Sequence, residues 1–367
     1  MQKNEIWKIY GTDYKEMTVR LLEAVQLAEH IPPQVRTVGI KPNLVSPSEA
    51  SWGATTHPQI VEGIAEYLRV HGDYRPVILE GSWVGDRTAE AFDTCGYSEL
   101  SKRLGLELWD MQKDTCHIRD CAGMNLAVCD KVAQIDYLIN VPVLKGHCQT
   151  KVTCALKNLK GLIPNKEKRR FHALGLHDPI AHLAAGIRQD FIVVDHICGD
   201  LDFEDGGHPV VRNCIMAALD PVLTDAYACS LLHYETAEVP YILKAESLGV
   251  GSADLNRLRL RFCGSEEREE LPRSDKVVEL SDVVQEVESC SACYGYLLPA
   301  LDMLREEGLL EPLKAKLPGR ICIGQGFRGQ KGRIGVGNCT RNFDFSVPGC
   351  PPTETEIYRA LKEYLRG

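Results

Sequence analysis

The first 260 residues alternate short, almost wholly apolar runs with segments whose apolar residues recur at helical spacing. Residues 35–41 and 76–80 read as strands, and 135–143 is the most convincing buried strand. Residues 191–194 repeat the theme, with Asp195 at the end of the run. Between these runs, 58–70 and 87–92 read as helices. Strands without a polar face need cover on both sides, and helical connections between them make them parallel. The expected fold class is therefore α/β, with a mostly parallel sheet covered by helices and a smaller C-terminal cysteine-rich module. Ligands of such sheets collect at the C-terminal ends of the strands. Functional residues are thus expected just past each apolar run. The charge-rich stretch 265–273 ends the alternation, and cysteine, glycine and proline dominate from there to Pro352. The expected domains are 1–268 and 269–367. A last helix over 354–365 is signalled by Thr353 as its cap, with Glu356 three residues on.

Composition narrows the class. An apolar fraction of 44% and a charged fraction of 25% are those of a globular chain. The formal charge of -9 argues against general binding to nucleic acid or to an anionic membrane surface. No apolar run approaches the roughly 20 residues of a membrane-spanning helix, and the N-terminus lacks the pattern of a signal peptide. The expected location is the cytoplasm, where 15 cysteines read as thiols or metal ligands rather than disulfides. Cys95, Cys129, Cys198, Cys214, Cys229 and Cys263 lie in apolar stretches and read as core thiols.

Four other cysteines have ligand spacing. Cys290 and Cys293 form a C-x2-C pair, Cys339 follows in a glycine-rich run, and Cys350 precedes two prolines. Four thiolates suit a tetrahedral zinc ion or an iron–sulfur cube. Structural zinc sites usually draw on two short knuckles, and only one is present. The glycine run 324–338 also offers backbone N–H groups of the kind that tune cluster sulfurs. The expected cofactor is a [4Fe–4S] cluster, with zinc as the alternative. Cys322, the rival ligand, sits in an apolar strand-like run and reads as core. Gly324, Gly326 and Gly329 match a dinucleotide fingerprint in spacing, but no helix pattern follows, so that reading is rejected. The segment 347–352 (VPGCPP) resembles the last cluster-ligand motif of the small cluster subunit of respiratory complex I and of nickel–iron hydrogenase small subunits. That resemblance implies iron–sulfur over zinc.

In the main domain the most informative segment is 140–161 (NVPVLKGHCQTKVTCALKNLKG). After the strand it is expected to become helical. Val152, Ala155, Leu156 and Leu159 would then form one apolar stripe, and Thr153, Lys157 and Lys160 another face. Lys145, His147 and Lys151 fall in the loop and first turn. Cations beside a helix N-terminus, past a parallel strand, make a site for phosphate or carboxylate. The expected catalytic residues are His147, suited to proton transfer, with Lys145 and Lys157. Lys151, Thr153 and Lys160 would bind substrate, joined by Lys41, Asn43, Thr55, Thr56 and Asp195 from other strand ends. Thr55 or Thr56 would cap the helix beginning at Pro58. Asp225 is a weaker candidate, because a first-turn acid has a helix-dipole explanation. His172, His177 and His182 stand five apart and do not stack as a metal pair would.

The runs Lys41-Pro-Asn-Leu-Val, Val141-Pro-Val-Leu-Lys145-x-His147, Thr150-Lys-Val-Thr153 and Ala155-Leu-Lys-Asn-Leu-Lys-Gly161 resemble a family. So do Asp195 before the 199–207 loop and the Asp220 to Ala226 stretch. That family is the domain-of-unknown-function family catalogued as number 362, and the resemblance covers most of 36–264. Its members are often described as iron–sulfur or ferredoxin-linked, which implies a cluster here too. This chain lacks the C-x2-C-x2-C run of ferredoxin-fused relatives, so a single, differently ligated cluster is expected. The expected function is a redox or cluster-assisted lyase enzyme of anaerobic metabolism acting on a small anionic substrate. A ferredoxin-type donor would supply electrons. A non-catalytic electron-transfer or binding module and a zinc-stabilised non-redox enzyme are the alternatives.

Overall fold

A computed structural model of the chain describes residues 1–266 and 270–366. The centre of the charge-rich break, with the expected boundary at 268/269, lies outside the described residues. The chain divides into two compact units, Met1–Lys168 with Leu176–Arg273, and Arg169–Gly175 with Ser274–Gly367.

The first unit is built on an eight-stranded sheet. In spatial order its strands are Arg259–Phe262, Glu5–Tyr10, Pro209–Ala218, Phe191–Asp200, Tyr137–Val141, Thr37–Pro42, Arg75–Glu80 and Glu107–Asp110. Pro209–Ala218 runs antiparallel to both neighbours, and every other pairing is parallel. The apolar runs became strands because both faces are covered: Val38, Ile40, Ile78, Ile139 and Val193 are all buried. On one face, helices Tyr14–Ala24 and Pro58–His71 pack together and place Leu21, Leu22, Ile60 and Ile64 against these strands. Helices His177–Gly186, Pro221–Leu231 and Pro240–Ser247 pack on one another and around the short helix Ala155–Asn158. Among the described residues no helix is long and apolar enough to cross a membrane.

From Thr37–Pro42 the chain steps outward through Arg75–Glu80 to Glu107–Asp110. It then returns to place Tyr137–Val141 on the other side of Thr37–Pro42. The direction of winding reverses between these two strands, and in sheets of this kind ligands bind at the C-terminal strand ends beside such a reversal.

The helical reading of the segment after Tyr137–Val141 is corrected. Lys145–His147 and Lys151–Thr153 pair as an antiparallel hairpin, with His147 opposite Lys151. The helix is confined to Ala155–Asn158 and continues as a 3-10 turn, Leu159–Leu162. β-branched Val152 and Thr153 favour the extended form. Lys151 adopts a left-handed φ of 64°, which turns the chain back into the hairpin.

The second unit holds a sheet of four three-residue strands, Val284–Glu286, Ile321–Ile323, Ile334–Val336 and Phe345–Val347, all parallel and in sequence order. Helices Ser291–Glu306, Leu310–Lys316 and Glu354–Arg366 accompany it. Thr353 and Glu356 form the reciprocal cap of the last helix, with Thr353 N donating to Glu356 Oε2 at 2.8 Å and Glu356 N to Thr353 Oγ1 at 3.3 Å. Past Ile321–Ile323 the glycine run makes a 3-10 turn, Gln325–Phe327, where a dinucleotide fingerprint needs a helix.

Candidate functional site

The winding reversal brings several of the expected residues together, each in a different state. Lys41 ends its strand fully buried and already engaged. Its Nζ donates to Glu80 Oε2 at 2.7 Å, to Pro42 O at 2.8 Å and to Asn158 Oδ1 at 3.4 Å. Burial lowers the Lys41 ammonium and the Glu80 carboxylate opposes that fall. The same Oε2 accepts Leu44 N at 3.0 Å, and Glu80 Oε1 accepts Gly81 N at 2.7 Å. Gly161 sits over this pair, where a Cβ would overlap Glu80 Oε1 and Lys41 Nζ. Lys41 thus knits three elements together. Asn43, two residues on, is buried with its Oδ1 lacking a hydrogen-bond partner among the described residues. Leaving a buried amide oxygen without a hydrogen bond costs free energy.

Thr55 and Thr56 do not cap the next helix. His57 occupies the cap position, Pro58 follows in the first turn, and no side chain closes the cap. Thr55 Oγ1 donates to Ser48 O at 2.8 Å. Thr56 Oγ1 donates to Val141 O and accepts from Asn43 N, both at 2.8 Å. The threonines fasten the 43–57 loop across the strand ends, which brings His57 to Asp195. His57 N and Nδ1 lie 2.7 and 2.9 Å from Asp195 Oδ2. Burial alone would lower the His57 imidazole, but the Asp195 carboxylate lifts it to about 10. The Thr-Thr-His-Pro run before a helix is the sequence signal for His57.

The hairpin supplies a second group. Lys145 Nζ donates to Ala54 O and Glu204 O at 2.5 and 2.6 Å. Burial pushes it down to about 7, and the neighbouring Lys157 adds to the fall. Gln149 N and Thr150 N point at His147 Nδ1 from 3.0 and 3.3 Å, so that nitrogen presents its lone pair. In the neutral ring the proton is then on Nε2, which faces Glu204 Oε1 at 3.3 Å. Cys148 N and Sγ also reach Glu204, at 3.1 and 3.2 Å. His147, Cys148 and Glu204 offer three buried ligand atoms within 4.8 Å of one another, a group able to hold a metal ion. Binding through Nε2 would require that nitrogen to lose its proton first. Sequence reasoning missed Cys148 and Glu204, which face His147 only because the hairpin and the 201–208 loop meet.

The remaining lysines separate. Lys157 is half-buried, its hydrogen bond is a long 3.4 Å contact to the buried Thr153 Oγ1, and burial lowers it to about 8. Lys151 lies at the surface, where it pairs with Glu238 at 2.6 Å and covers the Tyr234 ring. Lys160 is half-buried in the 3-10 turn. The expected anion position at the helix start is filled by the protein itself. Asp225 accepts Ala155 N at 2.7 Å and Leu156 N at 3.2 Å, so its explanation lies in a neighbouring helix rather than its own.

In the second unit the four cysteines converge. Cys290 is the cap residue of Ser291–Glu306 and Cys293 lies in its first turn. Cys339 sits in the turn Asn338–Thr340, and Cys350 follows Phe345–Val347. Burial raises the Cys293 thiol, and Cys290, Cys350 and Cys339 add to the rise, while Arg169 opposes it. Arg328 hydrogen-bonds Cys339 and faces Cys290 and Cys350. Gly337 places its α-carbon close to Cys293 Sγ, from which a Cβ would stand 3.7 Å. Cys322 turns instead towards Gln285 Oε1, at 3.6 Å. His172, in this unit, accepts from Ser291 N at 3.3 Å.

A thylakoid-associated protein of Synechocystis sp. is 23% identical over 218 residues, which are 58% of this chain and 67% of that protein. Among solved structures, the lactate racemase apoprotein of Thermoanaerobacterium thermosaccharolyticum aligns with a TM-score of 0.41 at 13% identity, over 63% of this chain and 57% of that one. A protein of Thermotoga maritima aligns at 0.40 and 12% identity, over 60% of each. The chain therefore spans less than two thirds of those two solved chains. The sequence model described as "Domain of unknown function (DUF362)" matches residues 38–230, from the second strand of the sheet to the helix carrying Asp225. With more than half of its length under that model, the chain belongs to the DUF362 family.

Proposed function

We propose that this protein is an oxidoreductase that holds one [4Fe–4S] cluster in its second unit and acts on a small anionic substrate in its first. The observation that carries the reading is the convergence of Cys290, Cys293, Cys339 and Cys350 from three separate segments of the chain. The donor set fits the group: four sulfurs at the positive end of a 16-residue helix, with a guanidinium alongside. When bound, the cluster supplies one-electron transfer; lyase chemistry would need an iron freed from its cysteine.

On the substrate side, Lys157 and Thr153 hold the phosphate or carboxylate, with Lys145 beside them and Lys160, Thr55 and Thr56 shaping the loops around it. Asn43 Oδ1 accepts a donor group of the substrate. His147, with Nε2 3.3 Å from Glu204 Oε1, moves a proton at that nitrogen. A ferredoxin-type donor supplies electrons, the location is the cytoplasm, and neither nucleic acid nor membrane is a partner, in line with the charge of -9. The test is Cys293→Ser in anaerobically purified protein. Loss of most of the bound iron is expected, and unchanged iron with unchanged absorbance would remove Cys293 from the ligand set.

A further inference from the structure

The end of the sheet opposite the winding reversal holds a cavity that the proposed chemistry leaves unused. We propose that this cavity is a second ligand site, for a small carboxylate with an apolar body. Its volume is about 600 Å³, within the range of small-molecule sites. Tyr137 opens the strand whose far end is Val141, and Gln189 and Asp190 lead into Phe191–Asp200. All three line the cavity, which therefore lies at the N-terminal ends of both strands.

Tyr137 and Gln189 are only 2% and 8% exposed. The Tyr137 hydroxyl and Gln189 Nε2 have no hydrogen-bond partner among the described residues. Buried polar groups are rarely left so, because each gives up its water in folding and gains nothing in return. The Gln189 amide cannot turn over to satisfy itself. Asn140 Nδ2 donates to the Ala155 carbonyl at 2.8 Å, which fixes the direction of the Asn140 amide. The Gln189 atom that faces this Nδ2 at 2.5 Å is therefore the acceptor, Oε1. What remains of Gln189 is an NH2 group that can only donate. A ligand oxygen settling against this wall supplies an acceptor for it and for the Tyr137 hydroxyl.

Charge and the rest of the wall give the ligand's class. Lys3 and Arg188 line the cavity against one carboxylate, Asp190. That carboxylate is already engaged, with Oδ2 accepting Leu138 N at 2.8 Å and Oδ1 facing Arg188 Nε at 2.6 Å. Lys3, exposed to solvent, remains for an anionic group. Leu219, Pro221, Leu248 and Val250 supply an apolar side. Inorganic phosphate would leave that side uncovered, and a neutral apolar molecule would leave the donors and Lys3 unused. A mere packing fault has an apolar wall, unlike this one.

The experiment illuminates the full-length protein with 4-azidobenzoate and maps the labelled peptides by mass spectrometry. Label is expected on segments 219–221 and 248–250, and excess benzoate is expected to displace it. Tyr137→Phe deletes the hydroxyl and breaks no hydrogen bond of that hydroxyl among the described residues, so its midpoint in urea should match the parent's. At limiting probe, labelling of these segments should fall roughly five- to ten-fold in that variant, the effect of one lost hydrogen bond. No label on these segments, label that benzoate does not displace, or equal labelling in Tyr137→Phe would each overturn the site. These readouts are independent of iron content and of Lys157, so their failure leaves the cluster and the anion site standing.

Discussion

Lys41 and Lys157 are both lysines just past secondary-structure elements, but their surroundings give them different work. Lys41 has three acceptors within 3.4 Å and no exposed surface. Lys157 is half-buried and has one long contact. Lys157→Ala is therefore expected to weaken phosphate or carboxylate binding at least ten-fold with little loss of stability, measured by isothermal titration and by denaturation. An unchanged affinity would place the anion elsewhere. His57 gives a pH prediction. Its imidazole is raised from the ordinary value to about 10 by Asp195, so the folded state holds a proton that the unfolded chain releases. The resulting stabilisation is complete below about pH 6.5 and is lost as pH rises through about 10. His57→Gln should be less stable than the parent by about 3–5 kcal/mol near pH 6, the usual loss on breaking a buried ion pair. The gap should narrow steadily towards pH 10, and a gap that stays constant in urea titrations across that range would contradict the pairing. At this scale the sequence revealed residue types and missed partners. Lys41, Asn43 and Asp195 were identifiable because they follow apolar runs. Glu80 and Glu204 were not, because they meet their partners through contacts 39 and 56 residues apart along the chain, and the partner of Asp225, 70 residues away, was equally hidden.

The parallel core strands were legible from their continuous apolar runs. Others were not, including Glu5–Tyr10 and Pro209–Ala218, whose polar residues break the run. The hairpin at 145–153 is a loop and first helical turn on the sequence pattern, because Val152, Ala155, Leu156 and Leu159 do fit a helical stripe. The helix is only four residues long, and the hairpin before it is held by contact with the 201–208 loop. Gly146 shows how close that contact is, since a Cβ there would overlap the backbone carbonyl of Leu201. Backbone cannot rotate aside as a side chain would. Gly146→Ala is therefore expected to destabilise the protein by about 1–3 kcal/mol in chemical denaturation. A neutral result would mean that the hairpin does not seat against that loop.

For the whole molecule, the sequence reported a change of character near residue 270, and the contacts divide the chain at 273/274 with a short excursion at 169–175. That excursion had no sequence signal, because nothing in a helix spanning Asn165–Ala173 marks which neighbour its last turns will meet. The four cysteines stood out in the sequence through the C-x2-C pair, the glycine run before Cys339 and the two prolines after Cys350. Their convergence required the four-stranded sheet, whose strands are too short to stand out. The central claim is that this convergence holds a [4Fe–4S] cluster. Its most direct test is anaerobic purification with iron, acid-labile sulfide and zinc quantified, and absorbance recorded before and after dithionite. The account predicts about four irons and four sulfides per chain and a broad visible absorbance that bleaches on reduction. A colourless protein carrying one zinc ion would contradict it, and would leave the first unit as the seat of any chemistry.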